Sequence, residues 1–199
     1  MNLANRLTLS RIILAPVFFA SYLMLILFSQ QCAGLAFWLI PLIWIIVIVS
    51  ELTDMFDGIA ARRLNQGSDF GKLFDPFADT LMQLTIFVCF VMDDIFPKPY
   101  WTILFLVILY REFGILFLRN LMLRKGIAMG ARISGKIKTV SYITTVVIAM
   151  SYATLKYLAM LEPIHLIVQM AANVVFGISA VISVASFFDY ARVYRSANQ

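Results

Sequence analysis

Histidine, cysteine and polar linker sequence are nearly missing from this chain, and each shortage closes off a class of protein. One histidine, His165, cannot build a zinc site alone; it reads as a loop or interface residue. Cys32 and Cys89 stand in or beside apolar runs without metal-ligating neighbours, so they read as packing residues and not as a disulfide framework. No Pro-, Gly- or Ser-rich stretch, no charge block and no repeat of roughly 20 to 50 residues offers a place to cut the sequence. A single domain over 1–199 is therefore expected. Charge is scarce as well: 14% of residues are charged against 62% hydrophobic, and the mean hydropathy of +0.89 excludes a soluble domain of ordinary composition.

What the chain has instead is long apolar runs. Six read as transmembrane helices, at about 8–28, 34–64, 73–92, 100–122, 135–157 and 167–188, which makes the expected fold an all-α, multi-pass membrane protein. The first run is too long for the apolar core of a signal peptide and no cleavage pattern follows it, so it is expected to stay in the membrane. At ~1.5 Å per residue the second run extends about 45 Å, longer than a ~30 Å hydrocarbon core, so its C-terminal end should project from the bilayer. A glycine-containing loop, 65–72, then leads into the third run, with Pro76 expected in its opening turns, where a missing amide is tolerated. Six spans place both termini on one side. All of the 16 Lys and Arg except Lys98 and Lys156 fall on or toward that side, which the positive-inside rule makes the cytoplasm of the cell membrane. The net charge of +5 is thereby explained by orientation in a lipid bilayer, and no nucleic-acid partner is expected.

Acidic residues number only 11, and four of them stand in two pairs, Asp54 with Asp57 and Asp75 with Asp79. Separations of three and four residues put each pair on one helical face. Two such helices side by side would bring four carboxylates to one point, as hard divalent cations require. Gly58 and Ala61 share the carboxylate face, and their small size leaves room for a ligand. A solvated acidic loop end accounts for Asp69 but not for two pairs at helical spacing. Carboxylates near the bilayer centre cost on the order of 2.5 to 3.5 kcal/mol each, so such a cluster calls for a function.

The spacing Asp54-x2-Asp57-Gly58-x2-Ala61-Arg62-x8-Gly71-x3-Asp75-x3-Asp79 resembles the signature of the CDP-alcohol phosphotransferases, membrane enzymes that move a phosphatidyl or similar group from a CDP-linked donor to an alcohol and release CMP. Asn5, Thr8 and Arg11 form a pattern similar to one near the start of many members; by residue chemistry alone it would be an N-cap followed by a snorkelling arginine. The resemblance implies two divalent ions, Mg2+ or Mn2+, held by Asp54, Asp57, Asp75 and Asp79, with Asp79 also the general base. It further implies contact with the CDP-diacylglycerol donor through Asn5, Thr8, Gly58, Ala61, Arg62 and Gly71, and a homodimer. Arg63 reads as a membrane-face residue. Within the family the chain resembles the phosphatidylglycerophosphate synthases in its first eleven residues, in Arg111-Glu112-x5-Leu118-Arg119 and in Gly135-Lys136-x-Lys138-Thr139. That likeness implies glycerol 3-phosphate as acceptor, a dianion for which Arg119, Lys136 and Lys138 would supply positive charge. Thr80 departs from the subfamily, where a lysine often follows the last aspartate. Serine or an inositol phosphate is the alternative acceptor. An ion transporter is a more distant alternative, since transport sites lie at midplane and these acids lie at one end of their helices.

Overall fold

The computed structural model describes residues 3–29, 31–63, 69–126 and 132–196, with the side chains at 3–6, 33, 55–63 and 69–73 outside that description. The described residues form long α-helices and one short 3-10 turn, without strands: α1 (Leu3–Phe28), α2 (Ala33–Arg63), α3 (Asp69–Met92), α4 (Tyr100–Arg124), α5 (Ile133–Tyr157), the 3-10 turn Glu162–Ile164 and α6 (His165–Ser196). By length and composition five of the helices are apolar enough to cross a membrane: α1, α2, α3, α4 and α6. The remaining one, α5, is 25 residues long but rich in Ser and Thr. Its hydroxyls donate back to carbonyls of the same helix, Thr144 to Val140, Thr145 to Ser141, Ser151 to Val147 and Thr154 to Met150. Polar groups satisfied within the helix do not demand water.

Two compact units divide the chain, Met1–Asp93 and Asp94–Gln199. In the first, α1 packs against both α2 and α3. Phe18, Tyr22, Phe87 and Phe90 are fully buried there, with Tyr22 edge-on to Phe90 at 5.8 Å. The Tyr22 hydroxyl donates to Asp93 Oδ2 at 2.8 Å, which satisfies a carboxylate that is only 1% exposed. In the second unit α6 packs against both α4 and α5. Trp101 stacks on Phe176 at 4.2 Å, and its indole N–H donates to Asn173 Oδ1 at 2.7 Å. Large apolar side chains also point outward, Trp38 and Tyr110 among them. A helix that is apolar all round is what lipid as solvent requires.

Two expectations are corrected. Residues 69–72, expected within a loop over 65–72, are helical and belong to α3. Gly71 is absorbed into the helix at a cost of about 1 kcal/mol in propensity, and an aspartate is a favoured residue at a helix start. Pro76 consequently lies inside α3 and not in its opening turns, while Asp75 and Asp79 are its seventh and eleventh residues. The proline leaves one carbonyl of the preceding turn without its usual amide. Arg11, read by residue chemistry as snorkelling, is instead 1% exposed. It stays buried because a carboxylate meets it.

Candidate active site

Within the first unit the carboxylates of two helices are tied to a third. Thr8 and Arg11 stand three apart on α1 and so share one face. The Thr8 hydroxyl donates to Asp75 Oδ1 on α3, and Arg11 Nη1 donates to Asp54 Oδ1 on α2. Both donors lie almost wholly inside the unit, at 2% and 1% exposure. The Asp54 side chain, by contrast, is 49% exposed, and Asp79 is exposed as well. Each tie takes one oxygen of its carboxylate, and an ionised carboxylate has a second oxygen that can also accept.

Sequence reasoning missed Glu51. It lies one turn before Asp54 on α2, and the charges of Asp79, Asp54 and Arg11 all act on it. Its separation of three from Asp54 was the available signal. On α3, Gln83 follows Asp79 by four residues, and its buried amide nitrogen has no hydrogen-bond partner among the described residues. Thr80, beside Asp79, is buried at 8% exposure. The side chains of Asn5, Asp57, Ala61, Arg62 and Arg63, and the surroundings of Gly58 and Gly71, lie outside the description. Among the described residues no three His, Cys, Asp or Glu side chains gather as a metal site; the set expected from sequence includes Asp57. The donors described, Asp54, Asp75 and Asp79, are all carboxylate oxygens, the chemistry that Mg2+ or Mn2+ takes.

The cationic residues expected at the acceptor lie in the second unit. Arg119 Nη2 donates to the Tyr190 hydroxyl at 3.2 Å, with its guanidinium 5.5 Å from the centre of that ring. Lys136 is exposed near the start of α5. Its neighbour Gly135 lets Tyr190 approach closely, since a Cβ there would stand 3.1 Å from the tyrosine oxygen. Lys138 Nζ donates to Glu112 Oε1 at 3.2 Å and sits 4.6 Å from the centre of the Tyr142 ring. The same Glu112 oxygen accepts from Arg111 Nη1 at 2.7 Å and from the Tyr142 hydroxyl at 3.0 Å. Arg111 is fully engaged besides, donating through Nε to the Ser183 carbonyl at 3.0 Å and through Nη2 to Ser186 Oγ at 2.8 Å. This buried ionic cluster joins α4, α5 and α6. Arg111, Glu112 and Lys138 all stand in motifs quoted from the sequence, but their spacing did not show that one Glu112 oxygen would meet both cations. Farther along, Arg132 pairs with Asp189 through two hydrogen bonds of 2.7 and 3.0 Å.

Comparison with known proteins adds to this geometry. The family model described as CDP-alcohol phosphatidyltransferase matches residues 1–185. A CDP-diacylglycerol--glycerol-3-phosphate 3-phosphatidyltransferase of Treponema pallidum is 40% identical over 144 residues, covering 71% of this chain and 64% of the relative. The protein of the same name from Bacillus subtilis is 36% identical, covering 73% of this chain and 74% of the relative. A probable phosphatidylglycerophosphate synthase of Mycobacterium tuberculosis is 33% identical, covering 95% and 79% respectively. This chain thus spans just under two thirds of the treponemal relative's length.

Proposed function

The chain belongs to the CDP-alcohol phosphatidyltransferase family, and from that membership we propose that it transfers the phosphatidyl group of CDP-diacylglycerol to glycerol 3-phosphate, giving phosphatidylglycerophosphate and CMP. The observation that carries this reading is that α1 donates to Asp54 on one helix and to Asp75 on another, so carboxylates of both halves of the motif have a common anchor. Asp54, Asp57, Asp75 and Asp79 would hold two divalent ions, Mg2+ or Mn2+, which when bound supply charge neutralisation for the donor pyrophosphate and the leaving group. Asn5, Thr8, Gly58, Ala61, Arg62 and Gly71 are assigned to the donor.

Asp79, exposed and last in the motif, takes the proton from the acceptor hydroxyl. The acceptor oxygen then bonds to the phosphorus that carries the diacylglycerol. The bond from that phosphorus to CMP breaks, and CMP leaves with the electron pair. Arg119, Lys136 and Lys138 serve the acceptor phosphate. Lys136 is exposed, whereas Lys138 shares its charge with Glu112.

The family match runs across both compact units, which supports treating them as one domain. The distribution of Lys and Arg supports a cytoplasmic site and cytoplasmic termini in the cell membrane; a homodimer rests on the resemblance alone. The test is CMP release by purified protein offered CDP-diacylglycerol with glycerol 3-phosphate, serine or an inositol phosphate, with and without excess chelator. Glycerol 3-phosphate alone should be consumed, and only with a divalent ion present. Use of another alcohol in its place refutes the acceptor assignment; full turnover in chelator refutes the metal site.

A further inference from the structure

We propose that Thr8 and Arg11 of α1 are positioning residues for the carboxylates Asp75 and Asp54, deciding which of their oxygens stay open to a divalent ion. The inference rests on the reading above that these aspartates hold the metal, and it deepens that reading by giving α1 a part in the site. Three features of the structure carry it. Thr8 and Arg11 lie on one face of one helix, they are 2% and 1% exposed, and each donates to the Oδ1 of a carboxylate on a different helix.

Neither residue behaves as its chemistry in isolation suggests. A snorkelling arginine keeps its head in water, and the Arg11 head is buried. An N-cap threonine precedes the first helical turn, and Thr8 lies well past the start of α1 at Leu3. A carboxylate turns about its Cβ–Cγ bond, so a donor held by a buried helix face limits which oxygen it presents. Losing a group that orients a metal-ligating carboxylate in this way typically costs about 10- to 100-fold in metal affinity or activity. Arg11 has a second effect, since its charge offsets part of the repulsion among Asp54, Asp79 and Glu51 before an ion arrives. Thr8 is neutral, so its contribution is geometry alone.

The experiment measures Mn2+ binding to the full-length protein in detergent by the loss of the free-ion spin-resonance signal, together with turnover. Thr8→Val keeps the shape of the side chain and removes the donor; it should raise the Kd for Mn2+ about ten- to a hundredfold. Thr8→Ser restores the hydroxyl and should return binding to the wild-type value. Arg11→Lys keeps the charge and loses the planar fork, and it too should weaken Mn2+ binding. The Kd is measured without CDP-diacylglycerol present, so a contact between Thr8 and the donor does not enter it. A Thr8→Val Kd equal to wild type overturns the proposal, and a raised donor KM with unchanged Mn2+ binding would leave Thr8 its donor contact alone. Wild-type protein that turns over without binding Mn2+ or Mg2+ is a separate result, which removes the metal reading from which the proposal starts.

Discussion

Glu112 shows what a single residue must satisfy when its solvent is lipid. Its side chain is 5% exposed, and one oxygen, Oε1, accepts from Arg111, Lys138 and the Tyr142 hydroxyl. Two cations and one carboxylate leave the cluster with an excess positive charge. Replacing Glu112 by Gln would strand both cations without a counter-charge, which for a buried pair costs about 3 to 5 kcal/mol. Thermal unfolding in detergent should therefore occur at a clearly lower temperature in Glu112→Gln. A midpoint within a degree of the parent would mean that water or lipid headgroups already neutralise Arg111 and Lys138. Arg11 follows the same rule in the first unit, where its partner is Asp54. The sequence exposes such charges readily, because each interrupts an apolar run. It does not name their partners: Asp54 is 43 residues from Arg11, and Ser186 is 75 from Arg111.

At the scale of the helix, where glycine stands decides how closely two helices approach. A Cβ built on Gly114 of α4 would lie 2.8 Å from Phe187 Cε2 on α6, inside contact distance. Gly34 near the start of α2 meets nothing within 4 Å. Gly114→Ala should destabilise by about 1 to 3 kcal/mol through overpacking, whereas Gly34→Ala should be neutral or stabilising through helix propensity, worth up to about 1 kcal/mol. The two unfolding midpoints, measured side by side, check this; equal shifts would show that the Phe187 ring gives way without cost. Helix existence was legible from the apolar runs, with bounds that agree to within about two residues for α2, α4 and α5, while α1 begins five residues before the expected start. The start of α3 was not, since Gly71 and Pro76 both argue locally against a helix that the fold nevertheless continues through.

For the whole molecule, orientation is the property that labelling can settle. Lys125 is exposed, and the Asp94 side chain is 93% exposed, so both sites are accessible to a reagent. Asp93 is not, being buried against Tyr22. In a background lacking Cys32 and Cys89, Asp94→Cys should react with an impermeant thiol reagent in intact cells, and Lys125→Cys only after permeabilisation. The reverse pattern would put the carboxylates on the face away from a cytosolic nucleotide. The sequence by itself determined the membrane helices, the two carboxylate pairs and the family. All three depend on spacing along one chain: a run long enough to span hydrocarbon, or acids three and four apart. Tertiary structure alone decided that α1 ties Asp54 to Arg11 and Asp75 to Thr8, and that Glu112 gathers three donors. The reason is the solvent. In water the polar face of a helix marks its outside, but in lipid both faces are apolar, so periodicity does not tell inside from outside. Which buried charge meets which then depends on how the helices pack.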